Sequence, residues 1–288
     1  MLDRLDHVIV AVRDLASSCE RYAALLGRPV SWRGEHPGAG SANALFRLEN
    51  TYLELLTPRG EGGVGDMLRA RLDAVGEGVL GLAFGTPDAD AFVASLRAAG
   101  GEVTDPQPGH GRDQDSGALR RWRNAYLSQA TSRGPLVFAI EHATPADLLP
   151  LREPGGPAES AVRALDHVVV MSKDIDATAA LYGDRLGLRL ALDRTFPQRG
   201  VRLLFFRVGG TTIEIGGSAT AKPDPDAPDD LWGLAYQVGD ADAARARLAR
   251  AGFDVTEVRD GNKPGTRVCT VKDGTSGVPT LVIEPVRP

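Results

Sequence analysis

The feature that most constrains this fold is an internal repeat with an offset of 160 residues, from position 5 to position 165. Leu5-Asp6-His7-Val8 returns as Leu165-Asp166-His167-Val168, and the register continues without a gap as far as Glu54 and Glu214. A register kept over that length indicates duplication, so the chain should contain two related domains. We place them at residues 1–144 and 163–288, with a Pro- and Gly-rich linker at 145–162.

Each half divides again into two units of the same kind. In the first half, His7 to Val12 reads as a strand, Asp14 to Leu26 as a helix closed by Gly27, and Val30 to Leu56 as further strands. A second strand, helix and three strands follow up to His142, and the same order returns after the linker. The order of elements predicts an α+β fold with four copies of a strand–helix–three-strand unit.

Composition limits the classes of function. Hydrophobic residues make up 42% of the chain and charged residues 25%, which is typical of globular proteins. A net charge of −5 argues against nucleic-acid or anionic-membrane partners. No apolar run is long enough to span a bilayer, and no signal-like region precedes the first strand. With Cys19 and Cys269 expected as reduced thiols, the sequence favours a cytoplasmic protein.

One glutamate lies in an apolar run on the last strand of each of the four units: Glu54, Glu141, Glu214 and Glu284. A carboxylate in an apolar interior needs a cation, a partner or a proton. His7 and His167 open the first strand of each half, and one His with two Glu is typical of an open divalent-metal site for Mn²⁺, Fe²⁺, Zn²⁺, Ni²⁺ or Mg²⁺. The alternative is a metal-free set of buried ion pairs with arginines on neighbouring strands: Arg47, Arg121, Arg123, Arg207 and Arg267.

The paired units, the opening Leu-Asp-His-Val with an Asp seven residues after the His, and the strand glutamates resemble the vicinal oxygen chelate superfamily. Its members include glyoxalase I-like lyases, extradiol dioxygenases, epimerases and bleomycin or fosfomycin resistance proteins. The first half, through Tyr52-Leu53-Glu54-Leu55, looks most like the glyoxalase-like branch. The resemblance implies that two units form one half-open mixed β-barrel with helices outside.

The resemblance also implies a ligand set drawn from the first and last strands of each unit. It assigns metal binding to His7, Glu54 and Glu141 in the first domain, and to His167, Glu214 and Glu284 in the second. The remaining ligand position falls on Gly81 and Gly233, which offer no donor side chain. We therefore expect three ligands of the usual four in each domain.

Two further histidines lie in glycine-rich loops of the first half. His36 and His110 are predicted to contact substrate or to supply the missing nitrogen ligand, the alternative being solvated loop side chains. Arg47 and Arg123 are predicted as further substrate-binding residues. Phe196 stands where the first copy has His36, which favours the first domain as the active one. His142 should point to the face opposite Glu141 and is not counted as a ligand.

The first functional hypothesis is a metal-dependent lyase or isomerase of this type, acting on a small substrate bound through neighbouring oxygens. Glu54 or Glu141 would move a proton as general base. The second is a metal-free protein that sequesters a small molecule, with the cavity opened by Gly81 and Gly233. An extradiol-type dioxygenase is a further alternative, less favoured because each domain lacks the second strand histidine. We expect a monomer or a homodimer.

Overall fold

The computed structural model describes residues 1–36 and 38–286. The first half contains β1 (Arg4–Ala11), α1 (Leu15–Leu26), β2 (Trp32–His36), β3 (Ser41–Arg47), β4 (Tyr52–Pro58), α2 (Gly63–Val75), β5 (Gly78–Gly85), α3 (Ala89–Ala98), β6 (Gln107–Arg112), β7 (Leu119–Tyr126), α4 (Gln129–Ser132) and β8 (Leu136–His142). Short 3₁₀ turns at Ala146–Leu148 and Ala158–Ser160 follow, within the segment predicted as the linker.

The second half repeats this order with shorter elements near its end. It contains β9 (Ala164–Met171), α5 (Ile175–Ala180) continued by a π turn (Leu181–Arg185), β10 (Arg189–Phe196), a 3₁₀ turn (Pro197–Arg199), β11 (Val201–Val208), β12 (Thr211–Ser218), β13 (Asp230–Gln237), α6 (Ala241–Arg250), β14 (Arg259–Asp260), β15 (Arg267–Val271) and β16 (Thr280–Glu284). None of the helices in the described residues is both long and apolar enough to cross a membrane.

Each half forms one eight-stranded mixed sheet, in the orders β2-β3-β4-β1-β5-β8-β7-β6 and β10-β11-β12-β9-β13-β16-β15-β14. Within each unit the first and last strands are parallel, as in β1 with β4 and β5 with β8. The two units of a half meet through an antiparallel pair, β1 with β5 and β9 with β13. The predicted α+β architecture of tandem βαβββ units is confirmed.

The helices begin where the sequence signals predict. Asp14 accepts hydrogen bonds from the backbone N–H groups of Ala16 and Ser17 at the start of α1. Asp88, Asp174 and Asp240 cap α3, α5 and α6 in the same way. Gly27 closes α1 with φ of 67°, a left-handed conformation that costs glycine little. Local sequence therefore sets the same helix starts in all four units.

One apolar core serves both halves. It is built from the helix-side faces of the two sheets together with the helices, and it includes Val8, Leu26, Leu82, Val168 and Leu248. A second, smaller core lies on the opposite face of the first sheet and includes Ile9, Leu56, Leu72, Phe138 and Ile140. Because the helix-side faces are used for the shared core, the concave faces of both sheets are left for other roles.

The first sheet closes into a barrel and the second does not. Gly34 on β2 forms a bridge with Asp113, directly after β6, and the Asp113 carboxylate accepts a hydrogen bond of 3.0 Å from the backbone N–H of Arg33. In the described residues no matching bridge joins the edges of the second sheet, where β14 has only two residues and β10 is exposed along nearly all its length. The first sheet thus closes around an interior, whereas the second sheet stays open in the described residues.

Polar contacts also tie the halves together. The Arg247 guanidinium on α6 donates to the carbonyls of Ala24 and Leu25 at the end of α1, and to Ser160 O at 3.1 Å. Burial lowers the pKa of Arg247 to about 10. Asn50, in the β3–β4 turn, exchanges two hydrogen bonds with the backbone of Leu165, at 2.8 and 3.0 Å.

We expect Arg247→Met to lower the free energy of unfolding by about 2–4 kcal/mol, because it leaves three partly buried carbonyls without their charged donor. Urea denaturation of the full chain measures the change. Arg250→Met is the matched control, since Arg250 is exposed and, among the described residues, its side chain bonds only to Ala246 O of its own helix. Equal destabilisation by the two substitutions would contradict a joining role for Arg247.

Candidate functional site

The first barrel encloses a cavity of about 1090 Å³, which is at the upper end of the range for ligand-binding pockets. Most of its wall is apolar or aromatic, with side chains from both units: Ile9, Leu45, Tyr52, Leu56, Met67, Trp122, Phe138 and Ile140. A smaller set of polar side chains shares the wall, including His7, Asn43 and Glu54. A cavity of this composition suits a small molecule that is largely apolar with a polar group.

His7 and Glu54 meet because of the strand register. Tyr52 on β4 is the partner of His7 on β1, and Glu54, two residues on, projects from the same face. His7 Nε2 lies 3.3 Å from Glu54 Oε2, and His7 Nδ1 lies 2.9 Å from Asp6 Oδ1. Asn43 on β3 donates from Nδ2 to Glu54 Oε1 at 2.7 Å. The imidazole is thus held between two carboxylates, both nearly buried.

These contacts set the charge states. Burial alone would lower the pKa of His7, but the Asp6 and Glu54 carboxylates outweigh it and raise that pKa. Burial would raise the pKa of Glu54, yet His7 and the Asn43 amide hold it below its usual value. The contacts therefore favour the charged form of each group, an imidazolium beside a carboxylate.

Asp6 extends this cluster to a histidine that the sequence analysis set aside. His142 Nε2 lies 3.0 Å from Asp6 Oδ2, so the Asp6 carboxylate is shared by two imidazoles. Burial raises the pKa of Asp6, but its hydrogen bonds with His142 and His7 leave it well below the usual value. His142 is on the face opposite Glu141, as alternation predicts, and this is the face that carries the cluster.

Glu141 does not join His7 and Glu54. Its neighbours Phe138 and Ile140 line the cavity, so Glu141 projects towards α3. Its Oε2 accepts hydrogen bonds of 2.8 Å from the backbone N–H of Ala89 and 2.6 Å from Arg123 Nη2. A carboxylate at a helix N-terminus paired with Arg is satisfied without a metal.

The same placement occurs in the second half. Glu284 Oε2 accepts a hydrogen bond of 3.0 Å from the backbone N–H of Ala241, the first residue of α6, and lies 3.5 Å from Arg267 Nη1. In both halves the structure therefore differs from the predicted three-ligand cluster, because Glu141 and Glu284 do not join the His–Glu pair. The last-strand glutamates face the helices, as in the ion-pair alternative.

The His and Glu side chains of the second pair, His167 and Glu214, lie farther apart than those of the first pair. His167 Nδ1 lies 2.8 Å from Asp166 Oδ1, but His167 Nε2 is 3.6 Å from Glu214 Oε2. Leu203 stands where the first copy has Asn43, so Glu214 lacks the amide hydrogen bond, and burial raises its pKa. A cavity of about 640 Å³ in this half is lined by residues such as Lys173 and Ser218, and not by His167 or Glu214.

The four predicted substrate-binding residues divide into two groups. His36 and His110 line the cavity, and His36 Nδ1 lies 3.2 Å from Ser41 Oγ. Arg123 instead pairs with Glu141 and with Asp90 of α3, at 2.6 and 2.8 Å. Arg47 is not among the lining residues.

Several polar residues of the cavity wall were not predicted as site residues, among them Asn43 and Arg120. Both are polar side chains on strands, and both are nearly buried. Arg120 could have been identified from the alternation of side chains along β7. Every second residue of that strand faces the cavity, namely Arg120, Trp122, Asn124 and Tyr126.

The donor set does not fit the expected metal site. In the described part of the chain no group of three or more His, Cys, Asp or Glu side chains could hold a metal ion. His7 and Glu54 would supply two donors, and Gly81 supplies none at the remaining position. Catalytic zinc sites commonly use three protein ligands.

We expect Glu54→Gln to lower the pKa of His7 by about one unit or more, because it removes one of the two carboxylates that stabilise the imidazolium. Long-range ¹H–¹⁵N NMR titration of the five histidines measures this. Glu141→Gln is the control and should leave His7 unchanged. An equal shift in both variants would place Glu141 in the site after all.

The sign of the linked stability change follows from the raised pKa of His7. Its contribution to the free energy of unfolding is complete below pH 6.5, the usual value, and is lost as pH rises through the pKa of the folded state. In Glu54→Gln that loss should be complete at a lower pH than in the wild type.

Comparisons with known proteins agree with the fold described above. Residues 5–159 match the family described as a glyoxalase-like domain. Residues 166–270 match the glyoxalase/bleomycin resistance protein/dioxygenase superfamily. An ethylmalonyl-CoA/methylmalonyl-CoA epimerase of Cereibacter sphaeroides is 28% identical over 127 residues, which cover 42% of this chain and 87% of that protein.

Solved structures with both domains extend the similarity to the whole chain. A mutant 4-hydroxymandelate synthase from Streptomyces coelicolor is 15% identical, with a TM-score of 0.72 over 100% of this chain and 94% of that one. A Mn(II)-bound glyoxalase from Novosphingobium aromaticivorans is 16% identical, with a TM-score of 0.63 over 99% and 83%. At these identities the structures are evidence for the fold alone. The chain belongs to the glyoxalase-like family of the vicinal oxygen chelate superfamily, with two such domains in tandem.

Proposed function

We propose that the first domain binds a small organic molecule in its barrel cavity, with the His7–Glu54 pair beside the polar group of that molecule. The observation that carries the proposal is the cavity of about 1090 Å³, whose largely apolar wall includes this buried pair. Apolar pockets with a few placed polar groups are the usual form of small-molecule sites. The proposal corresponds to the metal-free binding alternative.

The differences between the halves support assigning this role to the first domain. Its barrel is closed by the Gly34–Asp113 bridge, its Glu54 is held by Asn43, and its cavity wall includes His36 and His110. The second sheet is open, and its His–Glu pair lacks the amide. We keep residues 1–144 as the binding domain and 163–288 as its structural partner across the shared core, with 145–162 as the linker.

The chemistry available to the bound molecule is that of an acid–base pair. His7 and Glu54 are adjacent and buried, and each favours the charged form of the other. A ligand oxygen that approached Nε2 would compete with Glu54 for its proton, and a carbonyl there would be polarised. Asp6 keeps the other ring nitrogen occupied, which fixes the orientation of the ring.

A neutral fluorescent probe tests binding in the cavity. N-phenyl-1-naphthylamine should bind the wild type with enhanced emission, and Met67→Trp should weaken binding at least about tenfold by filling the cavity from α2. Leu192→Ala is the control, because Leu192 is an exposed apolar side chain of the open second sheet. Loss of binding in Leu192→Ala with none in Met67→Trp would sink the proposal.

A metal-dependent lyase or isomerase is the second candidate. Two observations favour it: the similarity to an epimerase, and the His7 Nε2–Glu54 Oε2 separation of 3.3 Å, which two donors sharing one ion could also adopt. In the described residues, Gly81 offers no donor at the remaining position, whereas His36 and His110 line the same cavity as His7 and Glu54.

Metal content separates the two candidates. The protein is incubated with Mn²⁺, Fe²⁺, Zn²⁺, Ni²⁺ or Mg²⁺, desalted and analysed by mass spectrometry beside His7→Ala and His167→Ala. For metal-free binding we expect well under one ion per chain, without a difference among the three proteins. About one ion per chain, lost only in His7→Ala, would replace the first candidate with the second.

A further inference from the structure

Arg120 is a buried cation in the cavity wall that the binding proposal has not used. It lies on β7 and projects from the same face as Trp122, Asn124 and Tyr126. Only 7% of its surface is exposed, yet it is among the residues that line the cavity. Arg120 therefore borders the space where the ligand would lie.

No acidic side chain neutralises Arg120. Within the described residues, no carboxylate oxygen lies within 4.0 Å of its nitrogen atoms. The neighbouring groups are neutral rings, with the guanidinium carbon 5.5 Å from the ring centre of Trp32 and 5.4 Å from that of Tyr52. Such contacts stabilise a cation without cancelling its charge.

The acidic residues of the cavity wall are already engaged elsewhere. Glu54 is paired with His7, and Glu35 with Arg59 at 3.0 Å. Asp113 accepts a hydrogen bond of 2.6 Å from Ser116 Oγ and another from the backbone of Arg33. None of these three carboxylates is therefore an ion-pair partner of Arg120.

Arg120 also acts on a second arginine outside the cavity wall. Burial lowers the pKa of Arg47 on β3, the Asp6 carboxylate opposes that change, and the charge of Arg120 adds to it. Buried charge is costly unless an opposite charge accompanies it. A guanidinium fork also matches the two oxygens of a carboxylate better than any neutral group does.

We propose that the molecule bound in the first domain carries a carboxylate, and that Arg120 is the side chain that recognises it. The inference rests on the proposed binding function and narrows it to organic acids with an apolar body. The apolar part would lie among Trp122, Phe138 and Ile140, which share the cavity wall.

The second half does not repeat this feature. Arg123 pairs with Glu141 across β7 and β8, and Arg267 pairs with Glu284 across β15 and β16 in the same register. Arg120 lies three residues before Arg123, and the residue three positions before Arg267 is Pro264, so Pro264 stands at the position equivalent to Arg120. The second half therefore offers no guanidinium at the position that matches Arg120.

The test uses two probes of nearly the same shape, 1-naphthaleneacetate and neutral 1-naphthaleneacetamide, titrated into the full chain by calorimetry. The wild type should bind the acid about 10- to 100-fold more tightly than the amide, as expected for a charge-assisted hydrogen-bonded pair. Arg120→Met should abolish this preference while leaving amide binding nearly unchanged. Arg120→Lys should keep part of the preference, because it retains the charge without the fork.

Arg121→Met is the matched control, since Arg121 is exposed, adjacent on β7 and outside the cavity wall. It should leave both affinities unchanged. If Arg120→Met does not fold, as judged by circular dichroism, Arg120→Gln takes its place, because Gln keeps hydrogen-bond donors without the charge.

The outcomes separate the two proposals. Equal affinity of the wild type for acid and amide, or a preference that survives removal of the Arg120 charge, overturns the carboxylate inference and leaves the cavity as a binding site. Failure of both probes to bind overturns the binding function itself, and the inference with it.

Discussion

The packing of the two sheets against one shared core is the constraint on which the rest of the structure depends. Both sheets present their helix-side faces to that core, where Val8 and Val168 occupy matching positions of the repeat. Since apolar burial is the main source of stability, these faces are not available for ligand binding. The concave faces therefore point away from the core, and any site must form there.

Duplication let the two concave faces diverge without loss of the scaffold. The first closed into a barrel through the Gly34–Asp113 bridge and retains Asn43 beside Glu54. The second is open, carries Leu203 at the matching position, and exposes apolar side chains such as Trp232 and Leu192. One half thus provides an enclosed environment in which charges interact strongly, whereas the other leaves its pair nearer to solvent.

Two basic side chains of the closed barrel, His7 and Arg120, differ in the groups that surround them. His7 has a carboxylate at each ring nitrogen, so its charge is compensated by the protein. Arg120 packs beside the rings of Trp32 and Tyr52 and has no carboxylate within 4.0 Å in the described residues, so in our proposal a ligand compensates its charge. This difference, rather than cavity volume, is what gives the proposed site its chemical selectivity.

The repeat, the unit order, the helix caps and the alternation of strand side chains follow from the sequence, because each depends on residues near one another along the chain or on a constant offset. Alternation also predicted that Glu141 and His142 lie on opposite faces. Which face borders the cavity was decided by tertiary structure: the strand pairings and sheet curvature turn Glu141 to the N-terminus of α3 and His142 to Asp6. The same long-range packing closes one barrel, leaves the other open and, in the described residues, leaves Arg120 without a carboxylate within 4.0 Å, and local sequence does not encode these distances.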